Sequence, residues 1–99
     1  MQFLVLAHDG TDADAPARRQ RVRAEHLAAA GRLKARGNFI MGGAILDTQG
    51  RMIGSAVVFE FPDRAQLDAY LARDPYVTGN VWQRIEVQPF RVAEVQPLP

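Results

Sequence analysis

The sequence predicts an α+β fold of order βαββαβ, an antiparallel four-stranded sheet with two main helices on one face. Three observations predict it. Residues 2–8 are apolar, and a long amphipathic stretch after them stops at Gly37. Two more apolar runs, Phe39–Leu46 and Met52–Phe61, are separated only by Asp47-Thr48-Gln49-Gly50, which is hairpin chemistry. A second amphipathic segment then precedes a last alternating run at residues 82–92.

Each element has a local reason. In the first strand Phe3, Val5 and Ala7 fall on one side and Leu4 and Leu6 on the other, the pattern of a strand covered on both faces. The polar stretch 9–15 leads to Pro16, suited to a first helical turn, with Asp14 or Ala15 handing over to the helix. That helix runs to about Arg36, and Gly37 stands where a left-handed residue is wanted. Gly42-Gly43 in the second strand predicts a bulge or a close backbone approach. Asp63, with Gln66 three residues later, caps a second helix that carries Leu67, Tyr70 and Leu71 inward and stops before Pro75. Asp74-Pro75 opens a further short turn, and Ile85 and Val87 share one face of the fourth strand. This is the ferredoxin-like plan. Its second sheet face is too apolar to leave in water, so a homodimer is expected.

Composition excludes several function classes. Residues 1–99 leave room for a single domain. There is no cysteine, hence no disulfide, thiolate metal site or catalytic thiol, and a cytoplasmic location is the default expectation. The apolar opening lacks a basic leader and reads as a strand. Twelve basic residues against eleven acidic ones give +1, no field for nucleic acid or an anionic membrane. The run Arg18-Arg19-Gln20-Arg21-Val22-Arg23 is divided between two helix faces and has no stacking platform. Gly42-Gly43 lacks phosphate-loop spacing, and two histidines with scattered carboxylates give no metal-ligand pattern, so neither cofactor nor metal is expected.

One helix position is anomalous. Val22, Ala29, Ala30 and Leu33 form an apolar stripe, and His26 falls in its middle, aimed at the sheet. Arg19 and Arg23 project from nearly the same side, whereas Arg18, Arg21, Glu25, Arg32 and Arg36 lie on the opposite arc. An inward imidazole needs partners; a carboxylate would fix its tautomer and favour its protonated form. A backbone carbonyl or water would satisfy it equally well. Asp74, taken alone, is a sound helix cap. His8, at the end of the first strand, is a second candidate that also reads as an ordinary strand-end residue.

Taken together, Arg19, Arg23-Ala24-Glu25-His26-Leu27, Gly43, Gly54-Ser55, Asp74-Pro75-Tyr76-Val77 and Val87-Gln88-Pro89-Phe90 resemble the YciI-like (YCII-related) family from about Phe3 to Val92. One departure is Gly42-Gly43-Ala44, where the family often has Gly followed by Pro. The resemblance implies a dimeric α/β barrel of ferredoxin-like subunits, with His26 and Asp74 paired in a cleft. Better understood relatives and fold neighbours include enzymes acting on small hydroxylated or chlorinated aromatic products and muconolactone-type lactones. Those activities imply a cofactor-independent lyase or isomerase using general acid/base chemistry: proton transfer, isomerisation or elimination on a small cyclic or aromatic-derived compound. His26 would move the proton, Asp74 would hold its tautomer, Arg23 and Arg19 would steady a developing oxyanion, and Tyr76 and His8 would complete the ligand contacts. The alternative is a small-molecule binding or accessory protein without catalysis; a third reading is a protein that only associates with partners.

Overall fold

The computed structural model describes residues Met1–Pro99 and gives the order β1 (Gln2–Asp9), α1 (Ala15–Ala35), β2 (Phe39–Leu46), β3 (Met52–Glu60), α2 (Arg64–Leu71), α3 (Pro75–Thr78) and β4 (Trp82–Phe90). The strands form one antiparallel sheet in the order β2-β3-β1-β4, with the helices on one face, the ferredoxin-like plan. No helix is long and apolar enough to cross a membrane.

Strand periodicity sorts the side chains into two faces. On the helix side Phe3, Val5 and Ala7 of β1 stand opposite Phe59, Val57 and Ser55 of β3 and opposite Pro89, Val87 and Ile85 of β4. Phe3, Val5, Val57 and Phe59 pack with Leu33, Leu67, Tyr70 and Leu71 into the core. Each such side chain contributes roughly 1.5–3 kcal/mol by leaving water. The other face carries Leu4, Leu6 and His8 opposite Val58, Ala56 and Gly54. Within one chain Leu4 and Leu6 are only half-buried, because no element crosses that face; the expected cover on this side would have to come from a second copy.

The helix ends follow their local chemistry. Asp14 caps α1 by position only; its carboxylate instead reaches Arg21 at 3.0 Å. At the other end Gly37 has φ 83°, its amide reaches Lys34 O, and the Asn38 amide reaches Leu33 O. These two bonds make a Schellman cap, which a side chain at Gly37 would strain. Asp63 Oδ1 accepts from the Gln66 amide at 2.8 Å, fixing the start of α2. In β2 the register shifts at Ile40, between the pairs Phe39↔Phe59 and Met41↔Val58, and again between Ile45 and Leu46. Gly42 provides the close approach: a Cβ there would lie 2.9 Å from Phe39 Cζ and 3.1 Å from Ala56 O.

Candidate functional site

The site forms where α1 and α3 face β2 and β3. Because Pro75 disfavours helical backbone in the residue before it, Asp74 is extended (φ −61°, ψ 134°) and becomes the N-cap of α3. Asp74 Oδ1 accepts from the Tyr76 amide at 2.8 Å and stands 2.9 Å from His26 Nδ1. Asp74 Oδ2 accepts from the Tyr70 hydroxyl at 2.6 Å. The helix cap and the histidine partner, alternatives in the sequence, are thus one carboxylate. With 1% exposure, that carboxylate has three donors on its lone pairs, as a buried charge requires.

The hydrogen bond to an acceptor-only carboxylate places the His26 proton on Nδ1. Nε2 bonds no group of the chain, and in the neutral ring so held it is the nitrogen that carries the lone pair. Tyr76 stacks on the imidazole with centroids 3.8 Å apart and planes 11° from parallel, while Trp82 meets it edge-on at 5.3 Å. The ring therefore has little freedom to turn. Burial, reinforced by the Asp74 carboxylate, pushes the Tyr70 phenol well above its ordinary ionisation range, so it stays a donor. Burial likewise raises the phenol of Tyr76.

The two arginines differ in their partners. Arg19, 4% exposed, is committed: Nη1 lies 2.9 Å from both Asp9 oxygens, Nη2 lies 3.0 Å from Ser55 Oγ, and the guanidinium sits 4.8 Å from the Tyr76 ring centre. It braces Tyr76, and Asp9 already neutralises its charge. Arg23, one turn before His26, is half-buried and pairs with no carboxylate. Its charge is the uncompensated one at the site.

A cavity of about 270 Å³ opens here, lined by Arg19, Arg23, His26, Ser55 and Tyr76 together with Phe39 and Gly42. It is just below the usual range for ligand pockets and suits a single ring. Larger hollows of about 830 Å³ between the chain ends and about 510 Å³ beside the end of β1 contain neither His26 nor Asp74. His8 is not brought to the cleft: it lies on the open face of the sheet, 3.7 Å from Glu86, because residue 8 has the parity of Leu4 and Leu6. No group of three His, Asp or Glu converges to hold a metal ion.

Four residues that shape the site were not singled out as site residues in the sequence, although Ser55 stands in the Gly54-Ser55 pair that carries the family resemblance. Asp9 and Trp82 come from strand ends, Ser55 from mid-sheet and Tyr70 from the second helix. Only Tyr70, four residues before Asp74, could have been linked to it by helical spacing.

The YCII-related domain family matches residues 1–91. In fold the chain is similar to the 5-chloro-2-hydroxyhydroquinone dehydrochlorinase TftG of Burkholderia phenoliruptrix, solved with 2,5-dihydroxybenzoquinone. The TM-score is 0.82 at 22% identity, over 95% of this chain and 97% of that one. A dimeric ferredoxin-like protein from a Jannaschia species aligns with TM-score 0.54 at 19% identity, over 92% of this chain and 98% of that one. A NIPSNAP domain protein from Burkholderia xenovorans aligns with 0.53 at 16%, over 98% and 99%. No curated protein sequence matches.

Proposed function

Since the chain belongs to the YCII-related domain family, we propose that it is a single-domain, homodimeric small-molecule enzyme in which His26 acts as general base and acid on a small cyclic or aromatic-derived compound. One observation carries this reading: Nδ1 of His26 is held by buried Asp74 while Nε2 bonds no group of the chain, and the ring lines the same cavity as the unpaired Arg23. A neutral imidazole so held accepts a proton at Nε2, and Asp74 stabilises the imidazolium that results. The electron pair left on the substrate moves onto an enolate or phenolate oxygen, whose charge Arg23 offsets. When that charge collapses, the proton returns to another carbon, which is isomerisation, or a leaving group departs with its electron pair, which is elimination.

The dehydrochlorinase likeness supports elimination as the first reaction to try. The protein is incubated under argon with 5-chloro-2-hydroxyhydroquinone and chloride release is followed. The expected result is release by the wild-type protein that disappears in His26→Gln, with affinity for 2,5-dihydroxybenzoquinone kept. Binding without turnover at any pH favours a non-catalytic binding protein. Absence of both removes the small-ring reading.

A further inference from the structure

Polarity falls along the cleft in one direction, on both of its walls. On α1 the lining side chains run Arg19, Arg23 and His26 and then, one turn further on, Ala30. On the sheet the paired residues of this face run from Ser55 with Ala44, through Val57 with Gly42, to Phe59 with Phe39. The two series point the same way. Arg19 Nη2 bonds Ser55 Oγ at one end, and Lys34 Nζ stands 5.7 Å from the Phe39 ring centre at the other. The cleft is therefore charged where it holds His26 and Arg23, and apolar where it finishes on Phe39.

Phe39 reaches this face because of Ile40. Strict alternation would put Phe39 with Met41 on the open face of the sheet. Ile40, the extra residue between the pairs Phe39↔Phe59 and Met41↔Val58, turns Phe39 over toward the helices. The ring is then held on three sides. It meets Phe59 edge-on, with centroids 6.3 Å apart and planes at 88°, and the Lys34 ammonium lies over it. Beneath it Gly42 leaves no room: a Cβ there would stand 2.9 Å from Phe39 Cζ. A ring so placed is a fixed wall.

We infer that Phe39 is the specificity-determining end wall of the cleft, admitting a single ring with small substituents and excluding a second, fused ring. The inference rests on the reading of this cleft as a small-molecule site and sets the size class of its ligand. A ligand whose oxygens stay beside Arg23 and His26 turns its opposite edge toward Ala30 and Phe39, so whatever that edge carries meets the Phe39 ring.

The test uses two acidic hydroxyquinones that differ by one fused ring, 2,5-dihydroxybenzoquinone and 2-hydroxy-1,4-naphthoquinone. Both are titrated by NMR into the wild-type protein and into Phe39→Ala. The wild-type protein should prefer the benzoquinone, and the variant should shift the preference toward the naphthoquinone on the order of tenfold, as the added ring leaves water. Intermolecular NOEs should then join the fused-ring protons to the Ala30 methyl group. Equal binding of the two quinones by the wild-type protein, or a preference that Phe39→Ala does not move, would overturn the inference and leave the role of His26 standing. A gain without those NOEs would seat the second ring elsewhere and overturn it too. If neither quinone binds either protein, the small-ring reading falls and the inference falls with it. Should Phe39→Ala fail to fold, Phe39→Leu keeps an apolar contact with Phe59 while shortening the wall; a smaller shift in the same direction upholds the inference, and no shift refutes it.

Discussion

The Tyr70 hydroxyl donates to Asp74 Oδ2 at 2.6 Å, so the carboxylate that holds His26 is itself held by a phenol one helical turn earlier in the chain. The two oxygens of Asp74 divide the work: Oδ1 faces His26 and the Tyr76 amide, and Oδ2 faces Tyr70. Loss of any one donor leaves a buried charge with fewer partners, a more severe change than loss of an exposed hydrogen bond.

This arrangement predicts an alkaline limit to stability that depends on Tyr70. Its phenol ionises well above the ordinary value of 10.0 in the folded chain, first through burial and then through Asp74. A group whose folded value is raised stabilises the fold fully below its unfolded value, and that contribution is lost as pH climbs beyond it. Urea midpoints should therefore fall as pH rises through about 10 and above. In Tyr70→Phe the alkaline fall becomes shallower, with Tyr76 supplying what remains, while stability at neutral pH drops by about 1–3 kcal/mol.

Asp74→Asn separates the cap from the histidine partner. Asparagine caps helices as well as aspartate, so the start of α3 should survive and the circular dichroism spectrum should not change. The oxygen that caps Tyr76 still accepts from Nδ1, but the negative charge that stabilises the imidazolium is gone. Chloride release from the chlorinated hydroquinone should fall on the order of 10²-fold or more, with quinone affinity little altered. A variant that turns over at the wild-type rate would reduce Asp74 to a helix cap.

The arginines should respond in opposite ways. Arg19 and Asp9 are each 5% exposed as side chains, so Arg19→Met strands a buried carboxylate and should destabilise the fold by about 3–5 kcal/mol in urea unfolding. Adding Asp9→Leu should recover much of that loss, because the unpaired charge goes as well. Arg23→Met removes no ion pair and should leave stability within about 0.5 kcal/mol. Its effect belongs to the ligand: weaker binding of the acidic 2,5-dihydroxybenzoquinone and no change for p-xylene.

The contrast between those arginines shows where the sequence is legible. The faces of α1 follow from helical periodicity, and with them the inward direction of His26, Arg19 and Arg23. The Gly37 cap and the Asp63 to Gln66 bond are local, within a few residues, and were readable for that reason. That Arg19 is already neutralised depends on Asp9 and Ser55, brought from β1 and β3 by sheet register, and no spacing rule reports it. The commitment of Ser55 to Arg19 and Trp82 spans separations of 36 and 27 residues. The placement of His8 was accessible, since its parity with Leu4 and Leu6 assigns it to the open face.

That open face supports the last prediction. Leu4, Leu6 and Ala56 make a half-buried apolar patch at the middle of the sheet, extended over β2 by Met41, which is 63% exposed in the single chain. No element of the chain crosses it, and a second copy presenting the same apolar patch would cover it by an isologous contact. Light scattering at micromolar concentration should give about twice the chain mass of 11.0 kDa. Replacing Leu6 by Lys places a charge at the centre of that contact while leaving the helix-side core untouched. The variant should scatter as a monomer and retain its circular dichroism spectrum, with a lower melting temperature because the sheet loses its cover. A wild-type mass near 11.0 kDa would mean that the face is tolerated in water, and the homodimer would have to be given up.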